Sequence, residues 1–159
     1  MQFLRLDTKQ GRPIPNVYRD EQPPGHFAEA ARIFAGAHFS VRQRSARATY
    51  NCHGMTFANR RTWIEKFDDE GSMDSVIRMI LADDDYRMIQ KAEAGCGDIV
   101  VYKDHKGAIT HTGIVVDHNP LTGEINMLSQ WGSDGEYFHT LRDVTPTLGH
   151  PAEFWTDRK

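Results

Sequence analysis

After Gly97 the hydrophobic pattern of this chain changes from the period of a helix to the period of a strand, and it does not change back. Four runs follow, Asp98 to Lys103, Ile109 to Asp117, Glu124 to Gln130 and Glu136 to Leu141. Asp104-His105-Lys106-Gly107, Asn119-Pro120-Leu121-Thr122-Gly123 and Trp131-Gly132-Ser133-Asp134-Gly135 separate them as turns. The second half of the chain is therefore expected to form an antiparallel meander. The tail, with Pro146, Pro151, Phe154 and Trp155, is expected to pack across it.

The first half reads as helical. His26 to Phe39 carries Phe27, Ala30, Ala31 and Phe34 on one stripe. A second helix is predicted from Cys52 to about Phe67, with Asn51 as its N-cap. Gly71-Ser72 breaks the chain, and Ser72 caps a third helix. There Met73, Val76, Ile77, Ile80 and Leu81 recur at core-facing spacing. Residues 1–25 form an irregular arm punctuated by Pro13, Pro15, Pro23 and Pro24, where Phe3, Leu4 and Leu6 could make a short edge strand. Helices first and a meander second predict an α+β fold in a single domain over residues 1–159.

Composition narrows the function classes. A chain of 159 residues can bury a sizeable core. Its net charge of −3 argues against a general nucleic-acid binder. No apolar run approaches the roughly 20 residues of a membrane span. The N-terminal stretch lacks the apolar core of a secretory signal, so the expected location is the cytoplasm, or outside it without a cleaved signal. Two cysteines, Cys52 and Cys96, are too few for a disulfide scaffold.

Cys52 and His111 carry the chemical signal. A cysteine at a helix start gains thiolate character from exposed backbone N–H groups and the helix dipole. A histidine at a strand start can take its proton, which gives a thiol nucleophile with an imidazole base. Each residue alone has a plainer reading, Cys52 as a small buried hydrophobe and His111 as a satisfied strand histidine. Cys96 lies between two glycines without the close ligand pairs of a zinc site, so no metal is expected. Arg42, Arg44 and Arg47 read as a solvated connector or as a patch for a carboxylate-bearing substrate.

Three motifs together resemble the papain-like cysteine hydrolases of the NlpC/P60 and CHAP superfamily. They are Asn51-Cys52-His53-Gly54-Met55-Thr56-Phe57-Ala58, Gly97-Asp98-Ile99-Val100-Val101-Tyr102 and His111-Thr112-Gly113-Ile114-Val115-Val116. The resemblance covers roughly residues 48 to 131. It implies N-terminal helices packed on a small antiparallel sheet or half-barrel. It also implies Cys52 as nucleophile, His111 as base and Asp98 as a structural residue. Tyr50 stands where members line the oxyanion site.

The third polar residue departs from the family pattern, since Ile125 to Trp131 holds neither histidine nor acid. A tight turn at Trp131 to Gly135 would put Ser129, Tyr137 and His139 on one face, with His139 the favoured orienting residue and Ser129 the alternative. The activity so implied is a cofactor-free cysteine amidase or peptidase, acting most readily on peptidoglycan peptide amides. The alternatives are a protein-directed peptidase, a deamidase, an acyltransferase, or a binding module on a degenerate scaffold. The expected partner is a peptide or peptidoglycan-like substrate, with room for an inhibitor or immunity protein.

Overall fold

Apolar runs from Ile99 onward build four consecutive antiparallel strands, the first of them apolar and buried on both faces, and three further strands join them into one sheet. The computed structural model describes residues 3–38, 40–66 and 73–159. Gly71, Ser72 and the predicted helix ends at Phe39 and Phe67 lie outside the described residues.

In chain order the elements are β1 (Asn16–Val17), α1 (Pro24–Ala37), β2 (Arg42–Ser45), α2 (Cys52–Phe57), β3 (Trp63–Ile64), α3 (Asp74–Asp83), β4 (Arg87–Ile89), β5 (Ile99–Lys103), β6 (Ile109–His118), β7 (Ile125–Gln130), β8 (Glu136–Thr140) and β9 (His150–Thr156). The main sheet is seven-stranded in the order β2-β8-β7-β6-β5-β9-β4, and every pairing is antiparallel. A small second pair joins β1 and β3.

This architecture corrects the expected α+β, papain-like arrangement with N-terminal helices. The molecule is β-rich, a seven-stranded antiparallel sheet with three short helices among the described residues. Two physical causes account for the difference. The second helix stops at Phe57, because Asn59 and Arg60 adopt left-handed backbone with φ of 51° and 63°. No α-helix continues through that geometry, and the chain turns into β3 instead.

The second cause is that three segments without strand periodicity become strands. Arg42–Ser45 and Arg87–Ile89 form the two edges, where polar and charged residues are tolerated because one side of the strand faces water. The tail enters the sheet as β9 between β5 and β4, and its Pro151 sits next to a register shift, where a missing N–H costs no ladder bond.

The predicted meander stands as β5 to β8. At the β5–β6 turn, Gly107 takes φ of 85° and Asp104 Oδ1 accepts the N–H groups of Lys106 and Ala108. The register sets Ser129 opposite Tyr137 and Met127 opposite His139.

Val100, Tyr102, Val115, Met127, Trp131 and Tyr137 belong to one buried cluster on the sheet. Phe34 of α1 closes on it edge-to-face, with ring centroids 4.8 Å from Trp131 and 5.3 Å from Tyr137. A second cluster joins Val101 and Ile109 to Ile77 and Leu81 of α3. Ile77, Ile80 and Leu81 are buried as their spacing predicts. Each contributes about 1.5–3 kcal/mol by leaving water; Ile77 and Leu81 fix α3 against the sheet, and Ile80 packs against Leu6, Ile14, Ala58 and Ile64.

Candidate functional site

The short helix α2 is held by its first turn. Asn51 Oδ1 accepts the backbone N–H of Gly54 at 2.8 Å and that of Ile64 at 3.1 Å, while its amide donates to the Ile64 carbonyl. One side chain thus caps the helix and ties it to β3. Gly54 is required by close approach, since a Cβ there would lie 1.8 Å from the Thr62 carbonyl oxygen. The expected N-cap is confirmed, and Cys52 is the first helical residue.

The Cys52 side chain faces inward, and the residue is only 8% exposed. Burial pushes its thiol up to about 11, while the backbone N–H groups of Thr112, His53 and Cys52 and the Thr112 hydroxyl pull the other way. This reverses the expectation of thiolate character. A six-residue helix has a small dipole, and desolvation of the charged sulfur outweighs it.

Thr112 docks α2 on β6. Its Oγ1 lies 2.9 Å from His53 Nδ1 and 3.1 Å from Thr56 Oγ1, and Thr56 in turn donates to the Cys52 carbonyl. The thiol therefore sits beside Thr112, one peptide bond from His111. His111 is fully buried, and among the described residues neither of its ring nitrogens has a hydrogen-bond partner. Its ring lies edge-on to Tyr102, with centroids 5.2 Å apart. Burial first, then the nearby His139 and His53, hold the imidazole well below the usual histidine range. His111, the strand residue before Thr112, turns its ring toward Tyr102 while Thr112 faces α2, and Cys52 and His111 share no hydrogen bond.

Ser129 and His139 meet as the strand alternation predicts. Ser129 Oγ is 2.7 Å from His139 Nε2. The Trp131 indole N–H donates to Ser129 Oγ at 3.0 Å, and His139 Nδ1 is 2.6 Å from the Thr140 carbonyl. These contacts fix one consistent chain. Trp131 donates to Ser129, Ser129 donates to Nε2, and Nδ1–H donates to the Thr140 carbonyl. Both nitrogens of His139 are thus committed, and it makes no hydrogen bond to His111. Burial lowers its pKa to about 4.

Tyr50 is committed elsewhere. Its hydroxyl donates at 2.6 Å to the buried Glu136 carboxylate, which also binds the Arg60 and Arg44 guanidiniums. Burial and then this carboxylate push the Tyr50 hydroxyl up to about 12. Glu136 and Arg60 were not anticipated. A single acid at a strand head and a single arginine after a helix carry no spacing signal. Thr112 carries no sequence signal beyond its place in the third motif.

The remaining candidates have structural partners. Asp98 accepts from Thr156 at 2.6 Å and from Arg158 at 2.5 Å. Arg44 binds Glu136, Arg47 pairs with Glu21 and Arg42 lies over the Phe138 ring. Cys96 is exposed, at the wall of a groove of about 850 Å³ that Lys91, Asp117 and His118 also line. Among the described residues no cluster of three or more His, Cys, Asp or Glu could hold a metal ion. None of the described helices is long and apolar enough to cross a membrane.

Comparison with known proteins gives a family match over residues 42–154, to a domain of unknown function, DUF7689. The matched segment holds Cys52, His111, Ser129 and His139. No curated protein and no solved structure matches the chain.

Proposed function

The chain belongs to the DUF7689 family, and we propose that it is a cysteine hydrolase of amide bonds, with Cys52 as nucleophile and His111 as base. The observation that carries this reading is the pairing of positions. The Cys52 thiol rests against Thr112, and the residue before it, His111, is a buried histidine whose ring nitrogens have no partner among the described residues. An unsatisfied buried imidazole costs free energy that a purely structural role would not require. The likeness of the three sequence motifs to those of NlpC/P60 and CHAP hydrolases supports the same assignment of residues.

In the proposed reaction the Cys52 sulfur attacks the amide carbonyl as His111 takes the thiol proton. Both groups are neutral at rest, so proton transfer accompanies attack and no preformed ion pair is needed. In this reading the backbone N–H of Cys52 donates to the developing oxyanion. His111 returns the proton to the leaving amine, and water activated by the same ring releases the acyl group. Peptidoglycan stem peptides are the substrate class the motifs favour, and an amine acceptor in place of water would make the reaction a transfer.

The experiment is incubation of the protein with muropeptides and peptide amides, with and without an added amine. Product masses and intact protein mass are recorded together. Hydrolysis with a transient acyl adduct on the Cys52 peptide supports the reading. Equal hydrolysis by Cys52→Ala overturns it.

The burial of the thiol favours one rival, a binding module without turnover. That reading predicts peptide binding that Cys52→Ala leaves intact, with no product formed by either protein.

A further inference from the structure

Helix α2 is short, and what holds its two ends lies outside it. Tyr50, two residues before Cys52, donates its hydroxyl to Glu136 Oε1 at 2.6 Å. Arg60, three residues after the helix ends, sets its guanidinium against both oxygens of the same carboxylate. Glu136 belongs to β8, is fully buried and stands far away in sequence. Arg60 reaches it from a left-handed backbone, φ 63°, which a non-glycine residue adopts only at some cost. The segments before and after α2 are therefore fastened to one buried anion.

We propose that Glu136 is a positioning residue for Cys52, acting through Tyr50 and Arg60 as a clamp on both ends of α2. The inference rests on reading Cys52 as the reactive thiol. Arg44 supplies the internal comparison. It binds the same carboxylate, at 3.3 Å, but comes from edge strand β2 and does not flank the helix. A carboxylate that merely stabilised the fold would make Cys52 access in each variant follow the stability that variant loses, the tighter Arg60 contact included. A clamp makes access rise in Arg60→Ala beyond what its stability loss accounts for, and not in Arg44→Ala.

The clamp keeps the thiol enclosed, so loosening it raises access to Cys52 through local opening without global unfolding. The test uses full-length protein carrying Cys96→Ser, so that Cys52 is the one thiol. Its alkylation by iodoacetamide is followed at a temperature well below melting. Arg60→Ala is expected to raise the rate about tenfold, as loss of a charge-assisted contact would. Tyr50→Phe changes it in the same direction by less, and Arg44→Ala stays within about twofold.

Glu136→Gln, which keeps the shape and removes the charge, is expected to match Arg60→Ala. Should that variant fail to fold, the comparison of Arg60→Ala with Arg44→Ala decides alone. An unchanged rate in Arg60→Ala, a rise that its measured stability loss accounts for, or the same increase in Arg44→Ala, overturns the clamp. Failure of the hydrolase reading shows elsewhere, as turnover that does not depend on Cys52.

Discussion

His53 Nδ1 lies 2.9 Å from Thr112 Oγ1, and this buried contact joins the helix that carries Cys52 to the strand that carries His111. Thr112→Val keeps the shape of the side chain and removes the hydroxyl. It leaves His53 Nδ1 buried without its partner and removes the hydrogen bond to Thr56 Oγ1, which keeps its own bond to the Cys52 carbonyl. The expected loss is about 1–3 kcal/mol of stability. Urea denaturation measures it, and an unchanged midpoint would mean that α2 is held by other contacts.

Gly54→Ala tests the approach of α2 to the loop behind it. The added Cβ would meet the Thr62 carbonyl oxygen at 1.8 Å, and backbone cannot yield as a flexible side chain does. We expect a loss of about 3 kcal/mol or more, at the upper end of overpacking effects. Thermal unfolding reads it directly, and a variant as stable as wild type would place α2 further from Thr62.

Acid should destabilise the protein earlier than its carboxylates alone would. His53 and His139 titrate at about 4 in the folded state, both through burial, against about 6.5 in an unfolded chain. Between those values the unfolded chain binds more protons, so stability falls as pH falls through that window. Each histidine contributes up to about 1.4 kcal/mol per pH unit there, and His111 acts in the same direction. Asp83 and Glu153 are held down to about 2, so their share is lost mainly below that window. Unfolding free energies at pH 7, 5.5 and 4.5 check the slope, and a flat profile across them contradicts the buried, neutral histidines.

The two thiols should differ in order of reaction. Cys96 is exposed and Cys52 is enclosed with its thiol pushed up to about 11. Peptide mapping after limited iodoacetamide treatment at pH 8 should find Cys96 labelled first. Labelling of Cys52 should rise toward high pH, without an inflection below the free-thiol value of about 8.5. Preferential labelling of Cys52 at pH 8 would mean a thiolate that this arrangement does not provide.

What was legible in the sequence follows from which residues bury apolar surface. The four strands of the meander, α3 and the Asn51 cap are periodic or chemically marked, and they stand where they were read. β2, β4 and β9 were missed because edge strands and a proline-bearing tail take their structure from pairing with neighbours, which no local pattern records. The end of the second helix was overrun because Trp63 and Ile64 continue an apolar pattern that the left-handed residues Asn59 and Arg60 interrupt.

In the site, alternation along β7 and β8 was enough to join Ser129 to His139. It did not reveal that Trp131 and Thr140 complete the chain and leave His111 without a partner among the described residues. The charge state of Cys52 was misjudged because a dipole can be read from a helix start, whereas burial is known only once the chain is folded.

The central claim is that the Cys52 sulfur breaks an amide bond with the help of His111. The most direct measurement is a digest of purified peptidoglycan by wild type, Cys52→Ala and His111→Ala, with the released fragments identified by mass spectrometry. We expect cleaved stem-peptide fragments from wild type and none from either variant. The same fragments in the same yield from Cys52→Ala would contradict the account.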